Sequence, residues 1–531
     1  MGLFSQPHKR MYYFLPAWYR GDQSWDSHEQ VWFHQSQHGF DDTINQVRMF
    51  TSSGQAAALL VPVFFPNLRH FAYQQGIYEV PRLSVFDYLQ GIPADLPVVN
   101  LDYHDFAWPA DANYVYNPFT VTVFSKGQRY AQISMGPEGN LIVMDLFKND
   151  QRYRQLDFDD RGFVSRVSEY NEQQQLVRQA YLDHLGNEQF YVAADGQVHI
   201  VGGVHLARHQ GIYPDLRSLI TEQFTQFVQE KIQPADLVVA AADPFHDQML
   251  GEVVPNEQLV LSYFGDRADL ATAAEAELAQ RAILTIADSN HNQQRLEALG
   301  AQTLQLPPLD TRLSLGISNQ ERLLKIMLLI DDLSTAALRS ALAIIMTTMN
   351  ENDLIDLTLL TFQPFQRQEE IATLVAELNN QLGLRDQYTF NQIEAAEAEN
   401  QLADNLDAAQ ETARERDIHL VTVNSEPQLI QAVHTTRLLI DLSAQPDVFL
   451  QIAGISAGIP EILRAESLYV EDGKNGRLLQ NVTTDLAPAI HFYLDGLKNW
   501  NTALVHAANK IADYTSRRIV KRLQAAIKEA R

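Results

Sequence analysis

The stretch Gly454-Ile455-Ser456-Ala457-Gly458 spells the G-x-S-x-G pattern of a serine hydrolase's nucleophile elbow. Such an elbow needs a strand running directly into the serine, so that the hydroxyl is held on a strained turn at the sheet edge. Here the preceding apolar strand, Arg437 to Ser443, ends well before Ser456. Between them Val448, Phe449, Ile452, Ile455 and Ser456 recur at three-to-four spacing, which predicts a helix that carries Ser456 and stops at Gly458. An acid and a histidine would also have to follow in the remaining chain, where His491 and His506 both fall in helical patterns. The expected role is close packing of helix on strand, not nucleophilic attack.

Other candidates weaken in the same way. His205 and His209 have the i, i+4 spacing of a helical metal pair, but no glutamate follows His205 and Arg208 repels a cation, so surface or interface histidines are expected. Asp102, His104 and Asp105 could form an acid/base group. On a strand, however, Asp102 and His104 share one face and Asp105 takes the other, which predicts a solvated edge. Gly202-Gly203, and the loop after Met11 to Pro16, lack the glycine spacing of a dinucleotide fingerprint. The acidic run Glu394 to Asp417 reads as a solvated helix face. Trp18, Tyr19, Trp25, Trp32 and Phe33 could stack on sugars, and serve equally well in a core or a subunit interface. No catalytic residue, cofactor-binding residue or metal ligand is expected.

The elements that would position these residues follow from periodicity. At 531 residues the chain exceeds what one core can hold, and its 46% hydrophobic share is that of a globular protein. From Met11, short apolar runs alternate with helical stretches, the mark of a parallel sheet covered by helices. From about Leu96 to Val204 the pattern changes to period-two runs closed by turns, among them Lys126-Gly127, Asn149-Asp150 and Asp160-Arg161-Gly162, which predicts an antiparallel meander. Strand and helix alternation resumes near Pro214, pauses at Pro307-Pro308 and begins again at Leu323. It includes an acidic helix over Ile393 to Arg416 and a wholly helical tail from Leu486. The expected fold class is α/β. Residues 11–95 with 205–317 form a discontinuous Rossmann-like domain, 96–204 an inserted antiparallel sheet, 318–485 a second Rossmann-like domain, and 486–531 helices that pack back on the first.

Charge and targeting signals narrow the function. Asp plus Glu number 66 against 40 Lys plus Arg, a net charge of −26, which disfavours nucleic acid and anionic membrane surfaces as partners. The absence of cysteine rules out disulfides, thiolate metal sites and cysteine nucleophiles. Polar Gln6 to Arg10 interrupts any signal-peptide core, Gln6 departs from the myristoylation pattern, and the apolar run Ala56 to Phe65 is half a membrane span. A soluble, cytoplasmic protein is expected.

The two α/β units, the helical tail and the run Arg437 to Gln480 together resemble the retaining GT-B glycosyltransferases. In those enzymes a serine ends a strand, two glutamates hold the donor, a Gly-x-Pro closes the helix and an Asn-Gly hairpin follows. Ser443, Gly458-Ile459-Pro460 and Asn475-Gly476 fit that frame, and the alignment puts Gln445 and Ala453 where the glutamates stand. Asp331 and Asp332 occupy the place of the basic pair that grips the donor diphosphate, where anionic phosphates demand Arg and Lys. The stretches Met11 to Tyr19 and Phe64 to Ile92, above all "VPRLSVFDYLQ", with the Tyr/Phe-rich insertion, are similar to the first accessory secretory protein family of the accessory Sec system. That resemblance covers the chain from Met11 onward.

It implies a non-catalytic GT-B-like subunit without cofactor. Its implied partners are the second and third accessory secretory proteins, the accessory SecA motor and a serine-rich repeat glycoprotein adhesin delivered to a dedicated membrane channel. It also implies a vestigial cleft around Trp18, Tyr19, Ser443, Gln445, Ala453, Gly458 and Pro460. The alternative it leaves open is an active glycosyltransferase, or the chaperone subunit of one, that modifies Ser/Thr-rich polypeptides from a nucleotide sugar.

Overall fold

A computed structural model describes residues 10–19, 24–27, 41–118, 120–136, 139–202, 210–308, 310, 315–363, 367–384, 387–393 and 415–531. Three sheets organise them. The first has seven strands in the order Thr303–Gln305, Leu284–Ala287, Leu259–Tyr263, Leu237–Ala241, Met11–Leu15, Ala56–Val61 and Arg82–Ser84, all parallel. Met11–Leu15 lies at its heart, pairing Tyr12 with Leu237 on one side and Ala57 on the other. Strands at the centre of such a sheet are buried on both faces and so read as continuous apolar runs.

Between the halves of that sheet the chain builds a ten-stranded antiparallel meander, from Asn113–Tyr116 to Ile212–Tyr213, in which each strand pairs with the next in sequence. Its tight turns use the left-handed backbone that right-twisted hairpins require: Lys126 and Gly127 have φ of 49° and 74°, Asn149 and Asp150 52° and 61°. The third sheet is again seven-stranded and parallel, in the order Gln387–Ile393, Glu415–Thr422, Ile355–Thr361, Leu324–Leu329, Leu438–Asp441, Glu461–Leu463 and Gly476–Leu478.

The structure corrects three local readings. Ile393, Glu415 and Arg416, expected in an acidic helix, belong to two adjacent strands; residues 394–414 lie outside the described ones. Tyr103–Asp105 forms a 3-10 turn, not a strand, because the Asp102 carboxylate accepts from the His104 backbone N–H at 2.9 Å and closes the chain locally. The tail is three helices, Val482–Leu494, Leu497–Ile511 and Ser516–Ala530. The first begins before Leu486 because the Asn481 side chain caps it, accepting from Thr483 N at 2.9 Å. Trp500, Ala507 and Tyr514 of this tail pack with the third sheet. Ile519, Val520, Leu523 and Ile527 join the first sheet's core, where Gln524 Nε2 also reaches Tyr12 Oη at 3.1 Å.

An acidic cleft between the parallel sheets

Both parallel sheets send the carboxyl ends of their strands toward one cleft of about 490 Å³, the place where open α/β sheets bind ligands. Leu259–Tyr263 leads into Phe264 and Asp266, and Leu284–Ala287 into Asp288 and Asn292. Across the gap, Leu324–Leu329 leads to Asp332 and Leu438–Asp441 to Gln445 and Asp447. Phe264 and Phe449 meet edge to face at 5.6 Å and join the two walls.

The charges of the lining are one-sided. Asp266, Asp288, Asp332, Asp447 and Glu466 all line the cleft, and among the described residues its lining includes neither lysine nor arginine. Asp447 caps the helix Val448–Ala457 by accepting from Leu450 N at 2.7 Å; burial, with Asp441 and Asp331 nearby, nevertheless pushes it up to about 7. Asp441 accepts from Ser443 N at 3.0 Å and Asp447 N at 2.7 Å, and burial raises it too. Burial likewise raises Asp288, which receives Gly265 N at 2.8 Å and Asn292 Nδ2 at 2.9 Å. Asp331 is committed to its own fold, accepting from Thr361 Oγ1 and, at 2.8 Å, from Phe362 N. A diphosphate entering this cleft would add negative charge to carboxylates that already repel one another.

The cleft gathers only part of the expected set. Gln445 lines it and is exposed. Ser443 lies behind, buried, its hydroxyl held by Asp441 and by the Gln445 carbonyl at 2.7 Å. Ala453 packs into the helix's apolar cluster, Gly458 ends that helix at φ 74°, and the buried Pro460 gives its carbonyl to Leu439 N at 3.1 Å.

Trp18 and Tyr19 stand elsewhere, as core residues of the first unit. The Trp18 indole donates to Asp41 at 3.0 Å and its ring meets Phe65 and Phe71, while the Tyr19 hydroxyl pairs with His246 Nδ1 at 2.7 Å. Trp25 packs on Phe245. Trp32, Phe33, Gly203, His205 and His209 fall outside the described residues. The lining at Asp288, Asn290 and Asn292 was missed, although a buried strand followed at once by Asp-Ser-Asn is the signal such a site leaves.

Ser456 rides the helix Val448–Ala457, half-buried, without a strained elbow. Ser456→Ala is therefore expected to change thermal stability by no more than about 0.5 kcal/mol, and a larger loss on melting would show that the hydroxyl holds the helix. Among the described residues, no three or more His, Asp or Glu side chains gather in a metal-holding group. None of their helices is long and apolar enough to cross a membrane.

Comparison with known proteins agrees with this geometry. The family model of the accessory Sec system protein designated accessory secretory protein 1 matches residues 11–530. Its relative from Streptococcus gordonii is 33% identical, over 98% of this chain and 99% of its own. The crystal structure of accessory secretory proteins 1, 2 and 3 of Streptococcus pneumoniae contains a chain with a TM-score of 0.77 and 29% identity, covering 98% of this chain and 99% of that one. A pneumococcal O-GlcNAc transferase, solved with UDP and GlcNAc, superposes at TM-score 0.64 with 10% identity, over 99% of each chain, and shares the GT-B-like fold. The chain belongs to the accessory secretory protein 1 family of the accessory Sec system.

Proposed function

We propose that this chain is a non-catalytic GT-B-like subunit of an accessory Sec export complex, cytoplasmic and meeting the membrane only through its translocon. In this reading it associates with the second and third accessory secretory proteins and, with the accessory SecA motor, supports transport of a serine-rich repeat glycoprotein adhesin. Residues 11–95 with 205–317, and 318–485, are its two Rossmann-like halves; 96–204 is the inserted sheet and 486–531 the tail that returns to the first half. The observation that carries the loss of transfer is the cleft's charge. Among the described residues, carboxylates line it without lysine or arginine, and the resemblance to retaining GT-B enzymes puts Gln445 and Ala453 where those enzymes have donor-holding glutamates. A diphosphate is usually gripped by bidentate or point cations, and the described lining offers neither arginine nor lysine.

Two measurements test the reading. Purified protein given UDP-sugars and a Ser-rich acceptor is expected to release no UDP above the buffer rate. Sustained turnover lost on an Asp447→Asn substitution would establish the active-transferase alternative instead. Co-expressed with the other two accessory secretory proteins, the chain is expected to purify as a stable complex; failure to associate would remove the scaffold role.

A further inference from the structure

Where the first α/β unit meets the inserted sheet there is a groove of about 410 Å³ whose lining includes Arg69, Tyr73, Tyr78, Val98 and Asp160 and shares no residue with the acidic cleft. Arg69 and Tyr73 stand one turn apart on the helix Leu68–Gln74. Gly76, left-handed at φ 66°, then turns the chain so that Tyr78 returns to Arg69, whose Nη2 donates to the Tyr78 hydroxyl at 2.9 Å. The two tyrosine rings meet edge to face at 6.2 Å. Tyr73 is nevertheless 66% exposed and Tyr78 38%.

The rings are held in place and left uncovered. Arg82 lies over the Tyr78 ring, 5.0 Å from its centroid, and its Nη1 donates to the Tyr78 carbonyl at 2.5 Å and the Val80 carbonyl at 3.2 Å. A platform fixed in this way loses little freedom when a ligand settles on it. Polar groups stand beside it. Asp160 is half-buried: its Oδ2 accepts from His70 N at 2.8 Å, while among the described residues Oδ1 has no hydrogen-bond partner and is not closed off from solvent. Arg69 bonds only the Tyr78 hydroxyl and, at 3.4 Å from Nη1, the Leu96 carbonyl among the described residues, so its guanidinium keeps further N–H donors for a ligand.

The mixed rim selects the chemistry of the ligand. An anion would meet the Asp160 carboxylate, and a cation would meet Arg69 and Arg82. A wholly apolar ligand would cut the carboxylate and the guanidinium off from water without replacing their hydrogen bonds. A neutral ring with an apolar face and hydroxyls around its edge satisfies all three. We propose that the groove binds a neutral pyranose, its C–H face on the Tyr73 ring and its hydroxyls shared between Asp160 Oδ1 and Arg69. The volume falls in the range of small-molecule pockets, about 300–1,000 Å³. This site goes beyond the export role and stands whether or not the acidic cleft turns over a nucleotide sugar.

The test uses the full chain and saturation-transfer NMR, with the methyl glycosides of glucose, galactose and N-acetylglucosamine as probes and sorbitol as an open-chain control. At least one glycoside is expected to receive saturation, strongest on the ring protons of one face, and sorbitol none. Tyr73→Ala is expected to weaken that binding by about tenfold or more, and Tyr73→Phe to retain it, since the ring and not its hydroxyl is the platform. Because Tyr73 is largely exposed, the alanine variant should keep the wild-type melting temperature. No saturation of any glycoside, equal saturation of sorbitol, binding that survives Tyr73→Ala, or binding lost on Gln445→Ala instead would each overturn the proposal. The last would place the sugar in the acidic cleft. If Tyr73→Ala binds glycosides as wild type does but no longer purifies with the other two accessory secretory proteins, the tyrosine pair is a protein contact and not a sugar site.

Discussion

Replacing Arg161 with alanine is expected to destabilise the protein by about 3–5 kcal/mol, the cost of orphaning one side of a buried ion pair. The guanidinium is buried and forks in two directions: to Asp87 at 2.8 and 2.8 Å on the helix Val85–Leu89, and to Asp159 at 2.6 and 2.7 Å on its own turn. Its carbonyl accepts Val99 N at 2.9 Å. One side chain thus fastens the inserted sheet to the first α/β unit. Asp159 is buried and Asp160 half-buried; desolvation, aided by Asp159, already pushes Asp160 up to about 7, and burial raises Asp159 as well.

The sign of the pH dependence follows. A carboxyl raised in the fold above its unfolded value of about 3.9 subtracts stability as pH climbs from that value to the folded one. Without Arg161 the folded value of Asp159 climbs further, so the penalty should be larger at pH 8 than at pH 5. Urea midpoints at the two pH values measure it, and Asp159→Asn in the same chain should recover much of the loss. A loss below about 1 kcal/mol, typical of exposed pairs, or one indifferent to pH, would mean that water already reaches the turn.

What the chain revealed in advance divides along physical lines. The meander was legible because its signals are local: alternation of period two, and turn dipeptides such as Asn149-Asp150 whose φ are positive in the structure. The helix Val448–Ala457 and its stop at Gly458 were legible for the same reason. The pairing of Met11–Leu15 with Leu237–Ala241 was not written in either segment, since it depends on where an intervening sheet returns the chain. Gln387–Ile393, with its run of Gln, Tyr, Thr and Asn, carries little apolar signal and was missed as an edge strand. The resemblance put Trp18 and Tyr19 at the cleft, and their type did not decide, because an aromatic ring fits a sugar and a core equally well; in the structure both are buried and bonded to Asp41 and His246. Asp447 escaped notice because an acid before a helix reads as a cap. It is one, and it also faces the cleft beside the other acids.

Gly454→Val is the second large effect, an expected loss of about 3 kcal/mol, at the top of the usual range for overpacking a core. A Cβ at Gly454 would meet the Glu461 carboxyl, lying 2.9 Å from its carbon, and would stand 2.7 Å from Leu439 Cδ1. The helix therefore rests on the strands Leu438–Asp441 and Glu461–Leu463 at a distance that glycine permits. Alanine here gains about 1 kcal/mol of helix propensity, and the collision should still win, because Leu439 and Glu461 are each only 1% exposed and have nowhere to go. Burial holds the Glu461 carboxyl protonated well above its usual range, with Oε1 unbonded. Its folded value being raised, it too subtracts stability as pH rises past about 4.3, and Glu461→Gln should flatten that slope. If close approach is the constraint, Glu461→Ala should relieve part of the Gly454→Ala loss, with a coupling of about 0.5–3 kcal/mol across the double-mutant cycle. Strict additivity in the urea midpoints would instead mean that the helix slides away from the sheet, and that Gly454 serves only the backbone.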